Sequence, residues 1–208
     1  MKLVSTTTLV DQDNFSKSKV WKRIEQDVGK AVDAVKWPPE ASNFTIYRQS
    51  GKKRGEGNGV KPIKEAFVAK LMDLGWKPEG KYPNENKGAV VRPGAFDAQL
   101  DLTLEHLAPF VVEWETGNIS SSHRAMNKMA LGLVEGIISG GVLVLPTREL
   151  YQYLTDRIGN YRELSPYFPL WSALEVENGY LGVVAVEHDA TSLDVPRIKK
   201  GTDGRALI

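Results

Sequence analysis

The chain has 208 residues, 41% of them hydrophobic, with 27 Lys and Arg against 26 Asp and Glu and no cysteine at all. That length and apolar content predict one domain over residues 1–208 with a buried core, while the missing cysteine excludes disulfides, zinc ribbons, thiolate catalysis and iron–sulfur ligation. A net charge of +1 does not by itself mark a nucleic-acid binder, because a duplex responds to the face presented to it rather than to the total.

The opening residues MKLVSTTTLVDQDNF lack the apolar run of a secretory signal. Nothing approaches the roughly 18 consecutive apolar residues of a membrane span. A cytoplasmic protein is expected, which makes the sequons at Asn43 and Asn118 inert. From about Ser16 to Lys36 the residues Val20, Trp21, Ile24, Val28, Ala31, Val32 and Val35 recur at helical spacing, and Trp37-Pro38-Pro39 ends the helix. Asn43 to Arg48 alternates like a strand, and a glycine-rich loop carries Lys52, Lys53 and Arg54. Pro62 fits the first turn of a helix that runs to Leu74.

AFDAQLDL and PFVVEW read as successive strands, followed by a helix from about Ser121 to Ser139 that Gly140-Gly141 breaks. VLVLP has the unbroken apolar character of a strand covered on both faces. Thr147 is a candidate N-cap, a helical segment covers Tyr161 to Leu174, and YLGVVAV makes a last strand. Helices alternating with strands predict an α/β fold with a mixed central sheet flanked by helices.

Several chemistries fail on spacing. The glycines at 55, 57 and 59 do not form G-x-G-x-x-G, no Walker-type phosphate loop or G-x-S-x-G elbow occurs, and His106, His123 and His188 lie too far apart for a metal-ligand motif. The acids are more informative. Alternation along a strand sends Glu113 and Glu115 to one face and Trp114 to the other. Asp97, on the preceding strand, can return alongside Glu113. Carboxylates that close at a sheet edge repel one another and lose hydration, and a divalent cation relieves both costs. Hard oxygen ligands suit Mg²⁺ rather than Zn²⁺. Surface acids on a half-exposed strand, or a sugar-cleaving pair, would share that spacing. The polar run Asn118, Ser120, Ser121, Ser122, His123 and Arg124 behind the acids is groove-reading chemistry instead.

The stretch EWETGNISSSHRAMNK, with FDAQLDL before it and YLTDRIGNYRELSPYF and KKGTDGRA after it, resembles the BamHI family of type II restriction endonucleases, and within it the OkrAI branch. The pieces VKWPPEASNFTIYR and GNGVKPIKEAF also match, so the resemblance covers most of the chain. It implies the restriction-endonuclease-like PD-(D/E)xK core, with Asp97 and Glu113 as catalytic metal ligands for Mg²⁺. Glu115 stands where most of that superfamily has lysine, so by resemblance it serves as general base or positions the attacking water. Glu79 aligns loosely with a further acid supporting the metal site.

The family cuts the palindrome GGATCC and leaves 5′ GATC extensions. Arginine pairs with guanine, asparagine with adenine, and a carboxylate accepts from cytosine. Arg124, Arg157, Asn118 and Asp156 therefore suit a GGA/TCC half-site, with Ser120 adding a hydroxyl. By resemblance the tail Gly201-Thr202-Asp203 reaches the minor groove, and Lys64 would be a phosphate contact. One half-site per subunit implies a two-fold homodimer on double-stranded DNA. Met126, Met129, Leu133 and Ile137 form a stripe that serves either that interface or the chain's own core. The resemblance also implies a cognate methyltransferase acting on the same site without a stable complex. A non-cleaving DNA-binding protein on the same scaffold is the alternative.

Overall fold

Val142 to Leu145 is too apolar to face water on either side, and it becomes the middle of a sheet. The computed structural model describes residues 1–48, 57–80, 82, 93–115, 117–155 and 158–200. In chain order these form β1 (Lys2–Gln12), α1 (Lys19–Ala34), β2 (Thr45–Tyr47), α2 (Lys61–Asp73), β3 (Lys77–Gly80), β4 (Phe96–Leu100), β5 (Phe110–Trp114), α3 (Ile119–Val134), β6 (Gly140–Pro146), α4 (Arg148–Tyr151), α5 (Tyr161–Leu164), α6 (Phe168–Ser172), β7 (Gly179–Glu187) and β8 (Ala190–Ser192). Six strands make one sheet in the order β1-β7-β6-β5-β4-β3. β6 runs parallel to both β5 and β7, whereas β1, β4 and β3 join antiparallel. The mixed sheet flanked by helices is the architecture expected from the sequence. A separate parallel pair joins β2 to β8.

The two faces of the sheet carry two cores. α1 and α2 cover one face, where Trp21, Ile24, Phe67 and Leu71 meet Phe110, Val112, Val144 and Tyr180. The Trp21 and Tyr180 rings lie 3.8 Å apart. Burying each such aromatic side chain contributes about 2–3 kcal/mol. α3 and α6 cover the other face, where Met126, Met129, Leu133 and Trp171 meet Val111, Leu143, Leu181 and Val183. The stripe expected on α3 therefore serves this chain's own core: Met126, Met129 and Leu133 are buried in it and Ile137 packs against it.

Local chemistry explains where expectation and structure part. β1 was not foreseen, because KLVSTTTLVDQ is a threonine-rich edge strand, half exposed along most of its length. It carries few apolar residues to reveal its period. β3 and β8 are too short to show one. α3 ends at Val134, not Ser139: Gly136 takes φ 68° and turns the chain. Gly140 and Gly141 then open β6, because the Phe110 ring and the Met129 sulfur stand 2.6 Å from where their Cβ atoms would be. The single helix expected over 161–174 is divided into α5, a 3-10 turn at Ser165–Tyr167 and α6. Pro166 and Pro169 lack the N–H groups a continuous helix needs.

Candidate active site

The register of the sheet sets three acids in a row. β4 pairs with β5 as Ala98↔Val112, Gln99↔Val111 and Leu100↔Phe110, so the next step places Asp97 across from Glu113. β3 pairs with β4 as Pro78↔Ala98 and Gly80↔Phe96, which puts Glu79 across from Asp97 on its other side. Glu79 has a left-handed backbone, φ 49°, and is exposed. Its side chain is not among those lining the cleft between β4, β5, α2 and α3.

That cleft has a volume of about 190 Å³, and Asp97, Glu113, Glu115, Lys64, Arg124 and Lys128 line it. Its chemistry is that of one buried and two half-buried carboxylates, two of the three paired with lysines. Asp97 accepts a hydrogen bond from the Trp114 N–H at 2.8 Å and an ion pair from Lys64 of α2 at 2.6 Å. Glu113 is only 7% exposed and pairs with Lys128 of α3. The Lys128 ammonium also donates to the Ala95 carbonyl at 2.6 Å and sits 4.6 Å from the centre of the Phe96 ring. Burial, and then the neighbouring Asp97 charge, push the Glu113 carboxyl up to about 7, against the pull of Lys128 and Lys64.

Glu115 lies one residue beyond β5, where its N–H still reaches the Val144 carbonyl at 3.3 Å. Its side chain accepts from the Gly117 N–H at 2.5 Å. Burial raises its carboxyl above the ordinary range, although that N–H and Lys64 pull the other way. Trp114, between the two glutamates, turns to the opposite face and packs against Phe67 with ring centres 4.8 Å apart.

Among the described residues, no three His, Cys, Asp or Glu side chains close into a cage that could hold an ion. What the site offers is a facing pair, Asp97 and Glu113, with Glu115 in the same cleft.

The remaining expected residues divide. Asn118 caps α3, its side-chain oxygen accepting from the Ser121 N–H at 3.1 Å. Ser120 and Arg124 are exposed on the first turns of the same helix. Arg124 borders the cleft and Lys64 lies inside it. His123 packs edge-on to Tyr167, with ring centres 4.4 Å apart. Asp156, Arg157, Gly201 and Asp203, and the loop from Lys52 to Arg54, lie outside the described residues. Lys128 was missed by sequence reasoning. The signal was present, because Lys128 stands four residues after Arg124 and seven after Ser121, on one face of a helix.

A strand–helix scaffold bearing this acid pair has relatives. The BamHI restriction endonuclease profile matches residues 1–205. The chain belongs to the BamHI family of type II restriction endonucleases. It is 46% identical to the type II restriction enzyme OkrAI of Oceanobacter kriegii over 184 residues, covering 88% of this chain and 89% of that one. It is 34% identical to the type II restriction enzyme BamHI of Bacillus amyloliquefaciens over 195 residues, covering 91% and 85%. A crystal structure of restriction endonuclease BglII complexed with a DNA 16-mer superposes with a TM-score of 0.62 over 91% of this chain and 78% of that one. At 12% identity that likeness shows the fold alone, the mixed sheet of a restriction-endonuclease-like core. As a BamHI-family enzyme, the chain is an endonuclease that hydrolyses DNA. No helix among the described residues is long and apolar enough to cross a membrane.

Proposed function

We propose that this BamHI-family enzyme acts as one domain that cuts both strands of GGATCC with Mg²⁺ and leaves 5′-phosphate GATC overhangs. The observation that carries the reading is the facing pair of Asp97 and Glu113, each already holding a cationic group inside one cleft. The donor set fits Mg²⁺, which keeps several waters and takes one or two carboxylates together with substrate phosphate oxygens. Asp97 and Glu113 would hold it, with Glu79 one strand away. When bound, the ion supplies charge stabilisation at the phosphate and a more acidic water.

The chain's own groups do the rest. Glu115, whose burial raises its proton affinity, takes the proton of the attacking water. Lys64 and Lys128 supply ammonium groups at the mouth and the floor of the cleft. Lys64, the more exposed of the two, turns from Asp97 toward an arriving phosphate. Arg124 and Arg157 read guanine, Asn118 adenine and Asp156 cytosine, with Ser120 beside them and the Gly201–Asp203 tail in the minor groove. Two copies bind the palindrome as a homodimer. Leu131 and Val134 of α3 and Leu170 of α6, between 43% and 68% exposed, are apolar residues that a second copy would cover. A methyltransferase modifying the same sequence accompanies such an enzyme without binding it stably.

The test is a digest of DNA of known sequence with Mg²⁺ or EDTA, followed by mapping of the ends. Cleavage at GGATCC with four-base 5′ extensions, lost in EDTA, is the expected result. Cutting at another sequence, or cutting that persists in EDTA, overturns the reading.

A further inference from the structure

Asn58 is the one asparagine of the described core that is fully buried while bonded to three separate stretches of chain, and none of those bonds serves the catalytic cleft. Its exposure is 0%. The side-chain amide donates to the Tyr47 carbonyl at 3.0 Å and to the Tyr153 carbonyl at 2.8 Å. The side-chain oxygen accepts from the Ile198 N–H at 3.1 Å. The main chain repeats the pattern: Asn58 N–H donates to Tyr153 at 2.8 Å, its carbonyl accepts from Thr155 at 2.9 Å, and Gly59 N–H donates to Ile198 at 2.8 Å. Asparagine alone has the donors and the acceptor at this reach, since aspartate loses both donors and glutamine is one methylene longer.

The glycines on either side show how closely these segments approach. A Cβ on Gly57 would lie 2.3 Å from the Leu154 carbonyl oxygen, and one on Gly59 would lie 2.1 Å from that of Lys199. Gly57 therefore presses on the chain leading to Asp156-Arg157, and Gly59 on the chain leading to Gly201. Thr155 is one residue before the first of these segments, and Ile198 is three residues before the second. A buried polar network with every member satisfied is rigid and holds one arrangement.

We propose that Gly57-Asn58-Gly59 is a positioning clamp that fixes residues 153–155 and 198–199 relative to one another, the stretches that continue in sequence into Asp156-Arg157 and the C-terminal tail, and that it thereby sets how sharply the enzyme discriminates GGATCC from near matches. The inference rests on the reading of those two segments as DNA contacts. Small displacements of groups that must meet a base edge are expensive, and each base pair of a site is worth about 5- to 150-fold in discrimination.

The experiment measures kcat/KM with the full-length enzyme on a GGATCC duplex and on duplexes with one base pair changed. It compares wild type with Gly57→Ala, Gly59→Ala, Asn58→Asp and Arg157→Ala. The ratio of cognate to altered site is the readout, because loss of folded enzyme cancels from it. The clamp predicts that the ratio falls by about tenfold in Gly57→Ala and Asn58→Asp, as it does in Arg157→Ala. Gly59→Ala, which displaces Lys199, raises KM for every duplex more than it lowers kcat. An unchanged ratio in both Gly57→Ala and Asn58→Asp, with Arg157→Ala defective, overturns the clamp and leaves the DNA reading standing. An unchanged ratio in Arg157→Ala overturns the reading beneath it.

Should the buried variants not fold, amide exchange on the wild-type enzyme decides. Thr155 and Ile198 are expected to exchange slowly, with protection factors that agree within about tenfold, as members of one opening unit. Protection factors that differ by more overturn the clamp.

Discussion

β5 changes character within a single step. Phe110, Val111 and Val112 are completely buried and apolar, packed between α1 on one side and α3 on the other. Glu113, the next residue, is almost as deeply buried but charged, and is tolerated because Lys128 stands against it. The first stretch stabilises the fold by removing apolar surface from water. The second spends part of that stability, since the desolvation cost of a buried ion pair can exceed its Coulombic gain. Under the proposed function the apolar half of the strand holds Glu113 in place beside Asp97.

Breaking the pair that Glu113 makes with Asp97 of the facing strand β4 is expected to have the largest effect. Asp97→Asn removes one of the two facing charges, and cleavage of a GGATCC duplex should fall about 10⁴-fold, roughly 5.5 kcal/mol of barrier, while a gel shift still detects binding. Activity within tenfold of wild type would erase the division drawn above. Breaking the apolar half comes next. Phe110→Ala should lower unfolding stability by about 4 kcal/mol, read from the denaturant midpoint, with activity per folded molecule largely kept.

Lys128→Met tests the join between the two halves. It leaves Glu113 buried without its cation, and should cost about 3 kcal/mol at pH 8. At pH 5 Glu113 carries its proton and the loss shrinks. Equal losses at both pH values would mean that Lys128 acts through packing alone.

The smallest effect concerns protons. A carboxyl whose affinity is raised from the ordinary 4.5 to about 7 in the folded protein keeps its proton there after the unfolded chain has lost its own. The folded state therefore loses stability as pH rises from about 4.5 to about 7. Glu113→Gln lacks that loss. In EDTA its melting temperature relative to wild type should rise by a few degrees between pH 5 and pH 8, and Mg²⁺ should narrow the gap by stabilising the ionised wild-type site.

Much of this division was legible in the residues. The apolar run Val142–Leu145, the helical spacing from Trp21 to Val32 and the acid–strand–acid order each have a strong local period, and each lies in the element expected. The edge strands did not announce themselves. β1 is threonine-rich and β3 contains Pro78 and Gly80, so both owe their conformation to the neighbours they pair with. Within the site, the facing of Asp97 and Glu113 followed from strand order. The spacing that sets Lys128 on one helix face with Arg124 was there to read, but its contact with Glu113 depends on how α3 crosses the sheet. The bonds of Asn58 join residues up to 140 positions apart, a separation that no window of sequence can register.

The pairing of Lys64 with Asp97 and of Lys128 with Glu113 has a consequence for an enzyme that must travel along a polyanion. Two bare carboxylates in the cleft would push phosphates away wherever the protein landed. With an ammonium already seated on each, and Arg124 lining the cleft together with Glu115, its carboxylates are matched by as many cationic groups, which weakens the repulsion that an approaching phosphate meets.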